Sequence, residues 1–304
     1  MLRIINNGQW DEFNYYFIEL QNSANTDVGA RMVLSLKRLM FYYRKSQFKE
    51  AQVCFTEFDN LLSKSKDVMI FEVRGRLVRS TMERSRGNHK ESYEIARECL
   101  SKVEQIAPSI LTVEFYVHLA SMLTIIESNK DLNHLPKEEL RTGSFKDEDI
   151  LFYDKTLQHL QEADYVPESK VDMQQKTLIN LAFLCLGCSL SGDVVDDLVS
   201  EEDIKKAGEC IKQAYDSAID STPMTVFRSC HLTFVQSCCY YRKSQFETNT
   251  ERGIELLQRA KQDVKEAEAR ANKHHFDELS RCATQHARVF EKELQGLPRV
   301  LKST

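Results

Sequence analysis

The segment Tyr-Tyr-Arg-Lys-Ser-Gln-Phe-Lys-Glu-Ala, residues 42–51, decides the fold class that we predict for this chain. Its pattern is typical of the end of one helix, a short polar turn, and the start of a second helix that packs back on the first. Past the turn, four residues at i, i+3, i+7 and i+10 predict one apolar helical face: Phe48, Ala51, Phe55 and Phe58. The same seven letters, Tyr-Tyr-Arg-Lys-Ser-Gln-Phe, return at residues 240–246, so we predict that this helix-turn-helix unit is repeated.

The low content of glycine and proline favours long helices over strands. The 304 residues include only 10 Gly and 5 Pro, too few for a sandwich or barrel with a turn about every ten residues. Apolar spacing predicts an all-α chain of about twelve helices and no strand. The main predicted helices are 9–21, 28–44, 48–63, 68–86, 90–106, 109–128, 148–163, 168–190, 224–241, 251–272 and 276–294, and Ser200 with the acids after it predicts a further helix start.

Charge and loop composition divide the chain into two predicted halves. Residues 31–104 carry 16 Lys and Arg against 10 Asp and Glu, a net charge of +6, whereas residues 130–220 carry 10 against 20, a net charge of −10. Residues 129–147 contain asparagines, Pro136 and a Thr-Gly-Ser cluster, which is typical of a long loop or a break between sub-bundles. We therefore predict a basic N-terminal helical-repeat half (1–128), a loop or break (129–147) and a C-terminal helical-repeat half (148–304) with a capping helix.

At the hairpin of residues 42–58 the chain resembles the tetratricopeptide repeat (TPR) family, in which a small residue and an aromatic residue recur around the turn between two antiparallel helices. Further residues that match this pattern are Gly87, His89, Ser92, Ala96 and Cys99, then Asn180, Leu186 and Gly187, then Ala207, Ile211 and Ala214. Phe246 restarts the motif, with Asn249 in place of the small residue. The resemblance implies a right-handed superhelical array of antiparallel helix hairpins, a TPR-like α-solenoid, whose first helices line a concave groove that captures peptides or partner segments.

Two basic stripes are the candidate partner-binding residues. Arg31, Arg38 and Lys45 are spaced by seven and share one helical face, and Arg76, Arg79 and Arg86 share a face of the next predicted first helix. Side by side, the two stripes could hold an acidic peptide, a carboxylate terminus or phosphates through charge-assisted hydrogen bonds. The alternative is a solvated basic face balanced by nearby glutamates.

The predicted function is therefore that of a non-catalytic scaffold or adaptor that binds a protein partner with an acidic segment. An RNA-binding sensor, resembling the interferon-induced TPR proteins, is the alternative, although the acidic middle of the chain would repel RNA. No catalytic motif is recognisable, and no cofactor site is predicted. An enzyme whose site is assembled from distant residues is a third class, which a pocket of inward-facing polar residues would favour.

Cysteine and histidine motifs suggest metal or redox chemistry but have simpler explanations. Cys185 and Cys188 have CxxC spacing, yet a structural zinc site needs four ligands, and the pairs Cys230–His231 and Cys238–Cys239 could supply the others only if the fold brought them close. Core packing explains the CxxC segment better, because a free Cys behaves as a small buried hydrophobe. The pair His274–His275, with His286 further on, suggests a metal cluster or a pH-sensitive junction, against the commoner reading of polar residues at a helix start. No metal site is predicted.

The sequence also predicts a cytoplasmic protein without membrane insertion. The longest apolar run, 178–190, is too short to span a bilayer, and the N-terminus lacks the pattern of a signal peptide. The nine Cys, an odd number at helical positions, suit a reducing compartment better than a disulfide framework.

Overall fold

The computed structural model describes residues 1–24, 26–66, 68–128, 145–162, 166–189, 199–218 and 222–296, and within them the chain is all-helical with no strand. In chain order the helices are α1 (Leu2–Asn6), α2 (Trp10–Ser23), α3 (Val28–Arg44), α4 (Phe48–Leu62), α5 (Val68–Arg86), α6 (His89–Val103), α7 (Ile110–Ser128), α8 (Phe145–Glu162), α9 (Pro167–Cys185), α10 (Glu201–Asp216), α11 (Val226–Phe246), α12 (Thr250–Lys273) and α13 (Asp277–Gly296). The predicted all-α class is confirmed. The helix beyond the predicted twelve is the short α1, and none of the described helices has the length and apolar character needed to cross a bilayer.

The turn predicted in residues 42–51 is present between α3 and α4. Ser46 adopts a positive φ of 52°, and the N–H groups of Ser46 and Gln47 donate to the carbonyls of Tyr43 and Tyr42 at 3.0 and 2.9 Å. This pair of bonds is a Schellman motif, which satisfies the last carbonyls of α3 and reverses the chain. Ala51 is completely buried where α4 meets α3, as its small size predicts.

The prediction that the second copy of the seven letters also forms a turn is wrong, because residues 240–246 lie within α11. There Arg242 is buried and donates from Nε to the carbonyl of Leu186 at 2.8 Å and from Nη1 to Gln245 Oε1 at 2.8 Å. These bonds hold the segment in helical conformation against the end of α9. The reversal comes at Glu247, and Asn249, matched above to a small core residue, is instead the N-cap of α12.

At two other helix boundaries, one prediction is confirmed and the other is wrong. Ser200 caps α10 in a capping box with Asp203, as its position before the acidic turn predicts. Gly187, which lies inside the helix predicted over 168–190, is instead past the end of α9 with φ 57°, so α9 ends at Cys185.

The helices form two layers. Each hairpin packs on itself: α3 with α4, α5 with α6, α7 with α8, α9 with α10 and α11 with α12. In addition, α3, α5, α7, α9, α11 and α13 contact one another in succession, so they form an inner layer, and α4, α6, α8, α10 and α12 form the outer layer. Stacked hairpins of this kind are the architecture of helical-repeat proteins. The right-handed superhelical path stays a prediction.

The two ends of the described chain meet. The Trp10 indole N–H donates to the carbonyl of His274 at 3.2 Å, and its ring packs edge-on against Phe276 at 6.0 Å between centroids. In addition, Arg84 of α5 forms an ion pair with Glu278 of α13, with 3.2 Å between Arg84 Nε and Glu278 Oε1. The inner helices therefore surround a central cavity instead of lining an open groove.

A single cluster of buried apolar side chains extends from Val73 in α5 to Phe290 in α13, on both sides of the predicted loop or break. Of that segment, residues 129–144 lie outside the described residues, and α8 begins at Phe145. The helices on either side of it, α7 and α8, pack against each other. The division into two halves stays a prediction.

Close packing between hairpins predicts the effect of one glycine substitution. A Cβ at Gly75 in α5 would meet the Phe58 ring of α4 well inside van der Waals contact. We expect Gly75→Ala to lower the free energy of unfolding by about 1–3 kcal/mol, the usual cost of overpacking, as measured by urea denaturation. In the control variant Gly208→Ala the new methyl in α10 meets nothing within 4 Å. That variant should be more stable by about 0.5–1 kcal/mol, and a stable Gly75→Ala would contradict the packing described.

Candidate binding site in the central cavity

The central cavity has a volume of about 320 Å³ and is lined by all six inner helices and by α1. Its wall carries six cationic side chains but only two carboxylates. The cationic residues are Lys37, Arg44, Arg74, Arg84, Lys176 and Arg228, and the carboxylates are Glu114 and Glu278. The cavity wall therefore carries an excess of positive charge.

Two of the six cations are paired. Arg84 and Glu278 form the ion pair between α5 and α13, and Ser85 Oγ donates to Glu278 Oε2 at 3.0 Å. Burial disfavours the ionised form of Glu278, but Arg84, Arg44 and the bond from Ser85 outweigh it, so the pKa of this carboxyl is lowered. Arg228 makes a bidentate pair with Asp172, Nε to Oδ1 and Nη2 to Oδ2, both at 3.0 Å.

The other four cations have no carboxylate within salt-bridge distance among the residues that the structure describes: Lys37, Arg44, Arg74 and Lys176. Nε of Arg44 and Nε of Arg74 are buried without a hydrogen-bond partner. The Arg44 guanidinium lies over the Phe227 ring, 3.6 Å from its centroid, a cation–π contact that stabilises the charge but leaves its N–H donors free. Uncompensated donors of this kind favour an anionic ligand.

The pKa values of the cavity residues show that burial disfavours their charged forms. Burial, and then the nearby Arg228, lowers the pKa of Lys176 to about 7. Burial also lowers the pKa of Lys37, with Glu114 opposing the shift. The pKa of His118 lies well below its usual value because of burial and then Arg84, so this histidine is neutral, and its Nε2 lies 2.6 Å from Ser80 Oγ.

The six residues predicted from the sequence as partner-binding lie elsewhere on α3 and α5 and, for Lys45, at the C-cap of α3, and none of them lines this cavity. Three of them pair with carboxylates: Arg31 with Glu57 at 3.8 Å, Arg76 with Glu98 at 3.1 Å, and Arg86 with Glu83 at 2.8 Å. The other three lie over aromatic rings: Arg38 over Phe17 at 5.1 Å, Lys45 over Phe41 at 5.2 Å, and Arg79 over Phe55 at 5.6 Å from the centroid. Their role in partner binding stays a prediction.

Sequence reasoning missed the cavity cations on the same helices because the two faces are offset by a single residue. Lys37 and Arg44 are spaced by seven, as are Arg38 and Lys45, but successive residues on a helix point about 100° apart. The spacing of seven residues therefore allows either stripe to face inward. The position of the neighbouring inner helices decides which one does, and the local sequence does not contain that information.

No protein-family model matches the chain, and no curated protein matches its sequence. The assignment of function therefore depends on the site described above and on the repeat-like architecture.

The low pKa of Lys176 predicts a pH-dependent gain in stability when its charge is removed. A lysine whose pKa is lowered in the folded protein destabilises the fold most below about pH 7, where it is protonated in both the folded and the unfolded protein. This destabilisation declines as the pH rises toward 10.5, the ordinary pKa of the lysine in the unfolded chain. We expect Lys176→Met to stabilise the protein by roughly 1–2 kcal/mol more at about pH 6 than at about pH 9, a figure discounted for partial access of water to the cavity.

Urea denaturation of both proteins at the two pH values measures this difference. The exposed Lys206 of α10 provides the control, and Lys206→Met should show no such pH dependence. Equal gains for Lys176→Met at both pH values would mean that Lys176 is not held at a lowered pKa.

Proposed function

We propose that this protein is a non-catalytic, TPR-like helical-repeat protein that holds an acidic segment of a partner protein in its central cavity. The observation that carries the proposal is the set of four cavity cations without carboxylate partners among the described residues. An unpaired buried charge is costly, and a ligand that supplies carboxylates removes that cost by pairing with it.

The size and chemistry of the cavity favour a short peptide segment. A volume of about 320 Å³ lies at the lower end of the roughly 300–1,000 Å³ of ligand pockets. Arg44 and Arg74 present planar guanidinium groups with unused N–H donors, which match carboxylate oxygens in bidentate geometry. The cations belong to different inner helices, α3, α5 and α9, so an extended segment with several acidic side chains can contact all of them.

The scaffold also favours binding by being ordered in advance. The cavity wall consists of helices joined by buried apolar contacts and by the Arg84–Glu278 and Arg228–Asp172 pairs. Little side-chain entropy is lost on binding when the receptor groups are already held in place. The nine cysteines are all buried and none forms a disulfide, which supports the proposed cytoplasmic location because thiols persist in a reducing compartment.

The proposal predicts that a short peptide of alternating Asp and Glu binds and that its Asn/Gln counterpart does not. In the double variant Arg44→Gln/Arg74→Gln, loss of two charge-assisted contacts of about 1.5–3 kcal/mol each should weaken binding by at least about a hundredfold. Fluorescence anisotropy of a labelled peptide measures the affinity, and thermal melting verifies that the variant is folded.

The matched control is Arg38→Gln/Arg79→Gln, which removes two cations from the same helices. These cations belong to the two basic stripes predicted from the sequence, which lie outside the cavity and are called the outer stripes here. We expect this variant to bind the acidic peptide as the wild type does. If only the Arg38/Arg79 variant loses binding, the outer stripes are the site and the cavity is not. Failure of the wild type to bind the peptide at low salt would refute the proposal as a whole.

RNA binding remains the alternative from the sequence, and the same assay distinguishes it. A single-stranded RNA of matched charge should bind more weakly than the acidic peptide, because the cavity lacks room for a tract of nucleotides. RNA binding that is tight and falls steeply with salt would instead support the sensor function.

An enzyme is a second candidate function, since the cavity does contain the inward-facing polar residues that would favour one. The specific observation is Lys176, whose pKa of about 7 leaves much of its amine neutral and nucleophilic near neutral pH. We expect a small aldehyde with a mild borohydride reductant to label Lys176 faster than the exposed Lys206, as read by peptide mass spectrometry. Equal labelling rates would remove the observation that favours this candidate.

A further inference from the structure

A second polar cluster, separate from the cavity, lies between α9, α11 and α13. Cys188 follows α9, Cys238 lies in α11 and His286 in α13, and one ligand atom from each lies within 4.8 Å of the other two. All three side chains are essentially inaccessible to solvent. The CxxC spacing was misleading here, because Cys188 meets these distant residues and Cys185 is not part of the cluster.

The hydrogen bonding of His286 fixes its tautomer. Nδ1 lies 3.2 Å from the carbonyl oxygen of Cys282, and since a carbonyl only accepts, Nδ1 must carry the proton. Nε2 then has a free lone pair, and it is buried with no hydrogen-bond partner among the described residues. A histidine whose Nδ1–H is bonded to a backbone carbonyl while Nε2 is free has the arrangement of a metal ligand.

The ring of His286 is also held in place by aromatic contacts. It packs edge-on against Phe234 and Phe290, with ring centroids 4.7 and 6.1 Å away. An apolar surrounding of this kind excludes water from the cluster. A donor set of two sulfurs and one imidazole nitrogen in a dry site suits a soft metal ion.

We propose that Cys188, Cys238 and His286 form a buried three-coordinate site for a soft, monovalent d¹⁰ metal ion of the Cu(I) class. With metal–donor bonds of roughly 2.0–2.3 Å, a trigonal ion needs its donors about 3.5–4 Å apart, and small side-chain rotations from the observed spacing achieve this. Two thiolates and one Cu(I) leave a charge of −1, which the buried guanidinium of Arg242 balances.

Zinc fits the site less well. Zn(II) in structural sites takes four ligands, and the cluster offers three among the described residues. A water cannot easily supply the fourth, because the three side chains are inaccessible to solvent. Cu(I), by contrast, forms stable three-coordinate thiolate complexes and requires no further ligand.

The test uses the whole purified protein, reduced and anaerobic, with Cu(I) as the probe and a colorimetric Cu(I) chelator as competitor. The metal is added both to the folded protein and during refolding from urea, so that burial of the site does not prevent loading. We expect one tightly bound Cu(I) per chain, and X-ray absorption at the copper edge should show two sulfur ligands and one nitrogen ligand.

Matched variants locate the ion. Cys188→Ser and Cys238→Ser should each weaken Cu(I) binding by more than about 100-fold. Loss of a residue that only hydrogen-bonds to a metal ligand can already cost that much. The control Cys239→Ser changes the neighbouring buried thiol, which is outside the cluster, and should bind Cu(I) as the wild type does. Melting temperatures should rise with Cu(I) for the wild type and the control only.

Any one of these results would overturn the proposal. The first is the absence of stoichiometric Cu(I) binding when thiol titration shows that the cysteines are reduced. The second is binding that both cluster variants retain, or a copper edge spectrum without two sulfur ligands. The third is a higher affinity for Zn(II) than for Cu(I), which would assign the cluster to a different metal.

Discussion

The closure of the helices around the central cavity depends on the ion pair between Arg84 and Glu278. This ion pair joins α5 to α13 and, with Trp10 against the α12–α13 turn, brings the two ends of the helical array together. An array that stayed open would expose its inner faces to water, which would solvate their cations at little cost. Because the ends meet, those cations surround a confined cavity in which water screens them less.

The same geometry separates the roles of the remaining basic residues. Cations on the outer stripes find carboxylates or aromatic rings close by, as Arg76 and Arg79 do, and are largely satisfied within the chain. Arg44, Arg74 and Lys176 face the cavity and have no carboxylate partner among the described residues. A partner segment with acidic side chains would complete this arrangement. Cys188, Cys238 and His286 form a separate cluster of buried donor atoms, for which we propose a soft metal ion.

Comparison of the two copies of Tyr-Tyr-Arg-Lys-Ser-Gln-Phe shows the limit of local sequence. In the first copy Ser46 takes a positive φ and the chain turns, whereas in the second copy Ser244 remains within α11. The arginine that the copies share also lies in two different environments. Arg44 lines the cavity, whereas Arg242 donates to the carbonyls at the end of α9. A local pattern cannot predict which of these environments its arginine will meet.

What the sequence determined by itself is the set of helices. α3 and α5 begin and end at the predicted residues, and the α10 capping box lies where Ser200 and the acids after it predicted it. These features depend on periodicity and capping within a few residues, which are local properties. Only the tertiary structure decided which stripe of each helix faces inward, that the array closes, and that Cys188 meets Cys238 and His286. Those outcomes depend on contacts between residues about 50 to 200 positions apart, and the spacing of residues along one helix contains no information about them.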